Sequence, residues 1–173
     1  MTVDESQIDV ARRQIEFARS YTKRLLADIE PDDWFRMPGG ATTHIAWQVG
    51  HLAMAEYGLV LLRVRGKEPE DKAFITNDFI RKFKRDSVPA DDPAAYPAMD
   101  EILKVFDSVH AKAMEEIGDF TAEQLSEPLP MPTAAYESKL GSLLFCATHE
   151  MLHAGQIGLL RRLLGKEPMG PLV

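Results

Sequence analysis

Apolar residues recur along this chain at spacings of three and four, the signature of helices packed by one face. Ile8, Ala11, Ile15, Ala18, Thr22, Leu25 and Ile29 set out a long first helix, ended by Pro31. The segment from Pro31 to Thr43, with Met37-Pro38-Gly39-Gly40 inside it, cannot continue a helix and reads as an ordered connection. A second helix opens at a cap on Thr42 or Thr43 and stops near Gly66, with Arg63 and Arg65 in its last turn. Residues 67–93 form the longest break, in which Phe79 and Phe83, four apart, mark a short helical piece. A loop of that length in a compact domain often carries function. The third helix presents Met99, Ile102, Phe106, Val109, Ala113 and Ile117 on one face and stops at Gly118. Thr121-Ala122-Glu123-Gln124 has the form of a capping box opening a single turn, and Pro128, Pro130 and Pro132 hold the chain extended behind it. A fourth helix runs from about Ser138 to about Leu164, with Leu140, Leu144, Ala147, Met151 and Ala154 as its apolar stripe. Arg161, Arg162, Gly165 and Pro168 close it. With no alternating strands, the pattern predicts an all-α four-helix bundle, a single domain over residues 1–173 with a long connection between helices two and three.

Composition narrows the function. The 173 residues are 45% hydrophobic and 27% charged, enough for one core and a solvated surface. A net charge of -7 argues against general nucleic-acid or anionic-membrane binding, which need a basic face. The basic run Arg81-Lys82-Phe83-Lys84-Arg85 reads as the solvated face of a connecting segment. No apolar run approaches ~18 residues and the N-terminus lacks a leader pattern, so the expectation is a cytoplasmic protein. The single cysteine, Cys146, excludes an intrachain disulfide and reads as a small buried hydrophobe near the candidate site. Ala154, Gly155 and Gly158, with the apolar excess Leu59-Val60-Leu61-Leu62, suggest a homodimer formed through helix faces.

The chemistry sits in His149-Glu150-Met151-Leu152-His153. Positions four apart on a helix lie ~40° apart around the axis and ~6 Å along it, so both imidazoles leave one face and can grip one divalent ion. They share a stripe with Ser142, Cys146, Gln156, Leu160 and Leu163, which points them inward. His51 offers a third ligand from the second helix, on a polar row with His44 and Gln48 beside the apolar row Ile45, Val49 and Leu52. An uncharged imidazole turned inward needs a partner, and a metal supplies one. His-Glu-x-x-His is also the zinc-protease motif, but the extended pattern fails: Gln156 stands where a glycine is required, and Leu159 where a third ligand is. Glu150 is therefore read as facing solvent or a neighbouring helix. His44 reads as helix-cap packing with a possible proton-carrying role, Gln156 as either a neighbour of the ion or bundle filling, Trp47 as core and His110 as exposed.

Ile45-Ala46-Trp47-Gln48-Val49-Gly50-His51-Leu52-Ala53 and His149-Glu150-Met151-Leu152-His153-Ala154-Gly155-Gln156-Ile157 resemble the second and fourth helices of the DinB-like and YfiT-like four-helix bundles, and the likeness spans nearly the whole chain. The resemblance implies a divalent metal, zinc or nickel, on His51, His149 and His153. It further implies a small-molecule substrate and, among the chemistries of such proteins, thiol-dependent S-transfer with a low-molecular-weight thiol. A non-catalytic metal-binding stress protein and a metal-dependent hydrolase are the alternatives.

Overall fold

The computed structural model describes residues 3–133 and 136–170, the side chains of 130–133 excepted. Its elements are α1 (Glu5–Leu26), α2 (Ile45–Arg65), α3 (Asn77–Phe83), α4 (Met99–Ile117), α5 (Ala122–Ser126), β1 (Pro128–Thr133), β2 (Tyr136–Ser138) and α6 (Lys139–Leu163). The four long helices, α1, α2, α4 and α6, form the bundle: α1 lies chiefly along α6, α2 chiefly along α4, and α2 also meets α6.

Local chemistry sets the helix starts. Asp4 accepts from the Gln7 N–H while the Gln7 side chain accepts from the Asp4 N–H, both at 3.0 Å, a reciprocal cap on α1. Ser138 caps α6, Thr121 caps α5 and Thr76 caps α3 through their hydroxyls, each stabilising by about 1 kcal/mol. The cap of α2 corrects the sequence expectation. It is His44 rather than Thr42 or Thr43, and its Nδ1 accepts from the Trp47 N–H at 3.1 Å. The reading of His44 as helix-cap packing holds, since a neutral ring nitrogen accepts the same bond as a Ser, Thr, Asp or Asn oxygen.

The faces read on α1 and α4 are the buried ones: Ala11, Ile15 and Ala18 pack against a core that Ile102, Phe106, Val109, Ala113 and Ile117 fill from the other side. The face of α6 agrees with the one expected at Leu140, Ala147 and Ala154 and departs from it elsewhere. Its continuous buried seam is Leu140, Leu143, Ala147, Glu150, Ala154, Ile157 and Arg161, while Met151 is 37% exposed. Two charged residues interrupt that seam in sequence and hide it.

α2 changes pitch, passing through a π-helical stretch at Tyr57–Leu62 before a last turn at Arg63–Arg65. Leu59, Val60 and Leu61 are all buried there and only Leu62 is exposed, because the stretch is flanked by both α4 and α6. Ala154 is likewise inside the bundle, and a Cβ on Gly158 would come within 4.0 Å of Leu25. Two of the features that suggested a homodimer thus have uses within one chain. α2 also corrects the expectation of no long apolar run: it is long and apolar enough to cross a membrane, but 78% of its most apolar window is buried inside the protein, as in a core helix.

The all-α expectation holds for the bundle and fails for one detail. β1 and β2 pair antiparallel, with Pro128 opposite Ser138 and Thr133 opposite Tyr136. The proline-rich segment is extended as read, and its partner is three residues long, too short to show alternation.

Candidate metal centre

Where α2 passes α6, one residue of α2 and two of α6 meet. The ligand nitrogens of His51, His149 and His153 lie within 4.8 Å of one another. The rings of His51 and His153 are 4.6 Å apart between centroids, those of His149 and His153 also 4.6 Å, and those of His51 and His149 5.3 Å. An ion bonded at ~2.1 Å to each nitrogen requires them ~3–4 Å apart, a spacing of the same order as the one found.

Two of the rings are oriented from behind. His51 Nδ1 lies 2.7 Å from the Phe83 carbonyl, so it carries the proton and donates, leaving Nε2 with a lone pair. His153 Nδ1 lies 2.6 Å from the Gln48 side-chain oxygen. The Gln48 amide nitrogen donates to Thr43 Oγ1 at 3.0 Å, which fixes that amide with its oxygen toward His153. Such outer partners hold ligating histidines in one tautomer and raise their basicity. Trp47 stacks on His51, with centroids 4.8 Å apart and planes 9° apart, and its Nε1 donates to Ser87 at 2.9 Å. Gly50 lets the supporting residue come close: a Cβ there would sit 2.5 Å from the Phe83 ring.

Burial keeps the rings neutral. It lowers the His51 pKa, and it brings His149 down to about 4 and His153 to about 3, with the neighbouring imidazoles adding to the effect in those two. At neutral pH the centre therefore offers lone pairs rather than protons, the state that a divalent metal requires.

The remaining sequence candidates fall into place around this centre. Glu150 turns from it and into the bundle, where Arg19 of α1 donates to both its oxygens at 3.0 and 3.2 Å. Of the two placements expected for Glu150, the neighbouring helix is the one found, and a protease-type general base is excluded by that engagement. Arg19 also donates to Glu56 of α2 at 2.6 Å, and His110 of α4 meets the other Glu56 oxygen at 2.8 Å. His110 was expected to be exposed; it is only 18% exposed at the side chain and is tied into this cluster. Burial, followed by the Glu56 and Glu150 charges, pushes the Cys146 thiol well up, so it stays a buried neutral hydrophobe as read. Trp47 is buried.

Beside the centre lies a cleft of about 570 Å³, walled by the loop before α2, the segment after α3 and the last turns of α6. His153, Gln48, Trp47 and Gln156 line it, which places Gln156 at the cleft rather than in bundle filling. A larger depression of about 980 Å³, between Pro31–Gly39 and the 91–99 segment, includes none of the three histidines.

Sequence reasoning found the three imidazoles but missed Gln48 and Phe83 as their supports. Gln48 shared a polar row with His51, a signal that was available. The Phe83 carbonyl belongs to the backbone and left none.

The model of the DinB superfamily matches residues 14–157, and the chain belongs to that superfamily. Solved structures agree in fold. A conserved protein from Enterococcus faecalis superposes with a TM-score of 0.68 at 16% identity, covering 91% of this chain and 97% of that one. YfiT from Bacillus subtilis superposes with a TM-score of 0.61 at 15% identity, covering 95% and 91%. That protein is described as "a probable metal-dependent hydrolase with an unusual four-helix bundle topology". No curated protein matches the chain by sequence.

Proposed function

We propose that this protein is a divalent-metal-dependent enzyme whose ion, zinc or nickel, sits on His51, His149 and His153, and that it transfers a low-molecular-weight thiol to an electrophile. The observation that carries the reading is three neutral imidazoles that converge, one of which, His153, lines an open cleft. Three neutral nitrogens leave a bound ion its full charge and at least one free position. When bound there, the ion supplies Lewis acidity and holds a thiol in its nucleophilic, deprotonated form. The protein's own part is to orient the rings through Gln48 and Phe83, to keep them unprotonated by burial, and to leave room for a second reactant.

Among the described residues no carboxylate lines the cleft, which favours transfer over hydrolysis. Glu150, the acid in the histidine motif, is committed to Arg19, so no carboxylate stands ready to take a proton from water. A thiol would lose its proton to solvent on meeting the ion and then needs no such base. The hydrolase reading is the second one, and the description of YfiT favours it. The lone Cys146 fits a reducing cytoplasm.

The test is turnover of a model electrophile, 1-chloro-2,4-dinitrobenzene, by the metal-loaded protein with a panel of low-molecular-weight thiols, alongside a panel of esters and amides. Thiol conjugation lost in His149→Ala supports the proposal. Ester or amide hydrolysis without thiol conjugation transfers the assignment to the hydrolase. Bound metal with no turnover on either panel favours a non-catalytic metal-binding protein.

A further inference from the structure

The cleft beside the metal centre has an uneven wall. The chain as a whole carries 27 acidic against 20 basic side chains, yet among the residues lining this cleft there is no Asp or Glu and one cation, Arg85. Arg85 makes no salt bridge to any described residue; its acidic neighbour Asp86 is held by Lys84 at 3.0 Å. It belongs to the segment after α3 that also brings Ser87, the partner of the Trp47 indole, to the cleft. The end of α6 also lines the cleft, and there Leu159 is 60% exposed and Leu163 45% exposed. The lining therefore combines a guanidinium without a salt bridge to any described residue, exposed leucines and His153.

We infer that Arg85 is a specificity-determining residue, which selects a substrate bearing a carboxylate joined through a short apolar segment to the atom that reaches the metal. The inference rests on the metal-centre reading above. A guanidinium presents parallel N–H donors that match a carboxylate in a two-point contact. The long-range field of a protein with net charge -7 disfavours anions, so a locally acid-free, cationic wall is what an anionic substrate needs for approach. The exposed leucines fit the hydrocarbon between the two polar ends, and the volume suits a small ligand. In the sequence, Arg85 was read with its neighbours as a solvated face, and Arg81, Lys82 and Lys84 are exposed. Arg85 is exposed too, but it alone among these basic residues lines the cleft.

The experiment uses the full chain loaded with cobalt(II), whose visible spectrum reports thiolate binding directly. ω-Mercaptocarboxylates of two to six carbons are titrated in parallel with mercaptoalcohols of the same lengths, on wild type, Arg85→Gln and Arg85→Lys. Wild type is expected to prefer the carboxylate by about tenfold at its best chain length, with the preference shrinking as salt is added. Arg85→Gln should abolish the preference while leaving affinity for the alcohols unchanged, and Arg85→Lys should keep part of it. No carboxylate preference in wild type, or one that survives Arg85→Gln, overturns the inference. If cobalt fails to bind the chain at the three histidines, the metal-centre reading itself falls, and the inference with it.

Discussion

Two polar clusters lie side by side in this bundle, both built from α2 and α6, and they differ in where their positive charge comes from. In one, Glu56 of α2 and Glu150 of α6 surround Arg19, a permanent cation 1% exposed to solvent and stacked 3.5 Å from the Phe106 ring. Burial works against the Arg19 charge, but Glu56 and Glu150 outweigh it and raise its pKa; on Glu56, burial is outweighed in turn by Arg19 and His110, and the pKa falls. In the other, His51 of α2 joins His149 and His153 of α6, with two Nδ1 atoms already committed and no cationic side chain among the three. His149 and Glu150 are consecutive, so one helix turns adjacent residues into the two clusters. Where the chain supplies its own cation, the cluster is closed and structural. Where it supplies only converging lone pairs, the cluster can accept a cation from outside, the role proposed for a divalent ion.

That contrast is broken most severely at Arg19. Arg19→Met leaves two buried carboxylates without their cation and should destabilise the fold by about 3–5 kcal/mol, enough to threaten folding. Chemical denaturation of wild type and variant measures it. An effect below about 1 kcal/mol would show that the cluster does not hold the bundle together.

The next effect is a pH dependence at the cap of α2. Burial lowers the His44 pKa to about 4, against smaller opposing contributions from the Ala90 and Trp34 backbone and from Asp91. Its Nδ1 must stay unprotonated to accept from Trp47, and its buried Nε2 has no hydrogen-bond partner among the described residues. The unfolded ring, near 6.5, takes the proton first. Stability is therefore full above about pH 6.5, falls as the pH drops from there to about 4, and levels off below, by on the order of 2–3 kcal/mol. His44→Asn keeps a capping acceptor and removes this titration. Denaturation midpoints of both proteins across pH 4–8 should diverge only on the acid side; parallel curves would contradict the role given to His44.

Gln48 sharpens the comparison from the metal side. Gln48→Leu removes the oxygen that orients His153 while touching none of the proposed ligands, and should weaken metal binding about 10–100-fold with little loss of helicity. Metal competition against a chromophoric chelator gives the number. An unchanged affinity would mean that the contact is incidental.

The same contrast explains what the sequence showed and what it concealed. Apolar periodicity located α1 and α4 to within a few residues: the buried face of α4 carries no charge, and on α1 the buried Arg19 lies beside the Ile15–Ala18–Thr22 stripe without displacing any of its members. On α6 it found Leu140, Ala147 and Ala154 but took Leu144 and Met151 in place of Leu143, Glu150, Ile157 and Arg161, since the two charged residues of the seam are each satisfied by partners distant in sequence: Arg19 for Glu150, and Asp28 with the Leu25 carbonyl for Arg161. The three histidines were legible because helix geometry fixes two of them on one face. Their supports were not, since a backbone carbonyl thirty-two residues from His51 carries no side-chain signal. The π-helical stretch of α2 was concealed for a related reason. Four consecutive apolar residues, Leu59 to Leu62, look like an excess until two helices are known to flank the stretch and bury the first three.

The central claim is that one divalent ion is held jointly by His51, His149 and His153. It is tested most directly by zinc titration of the wild type and of the three single alanine variants at these positions, with circular dichroism on the same samples. The expected result is one ion per chain in the wild type, a loss of affinity of at least about 100-fold in each variant, and a helical spectrum retained throughout because the bundle has its own apolar core. Wild-type affinity in any one of the three variants would contradict the claim.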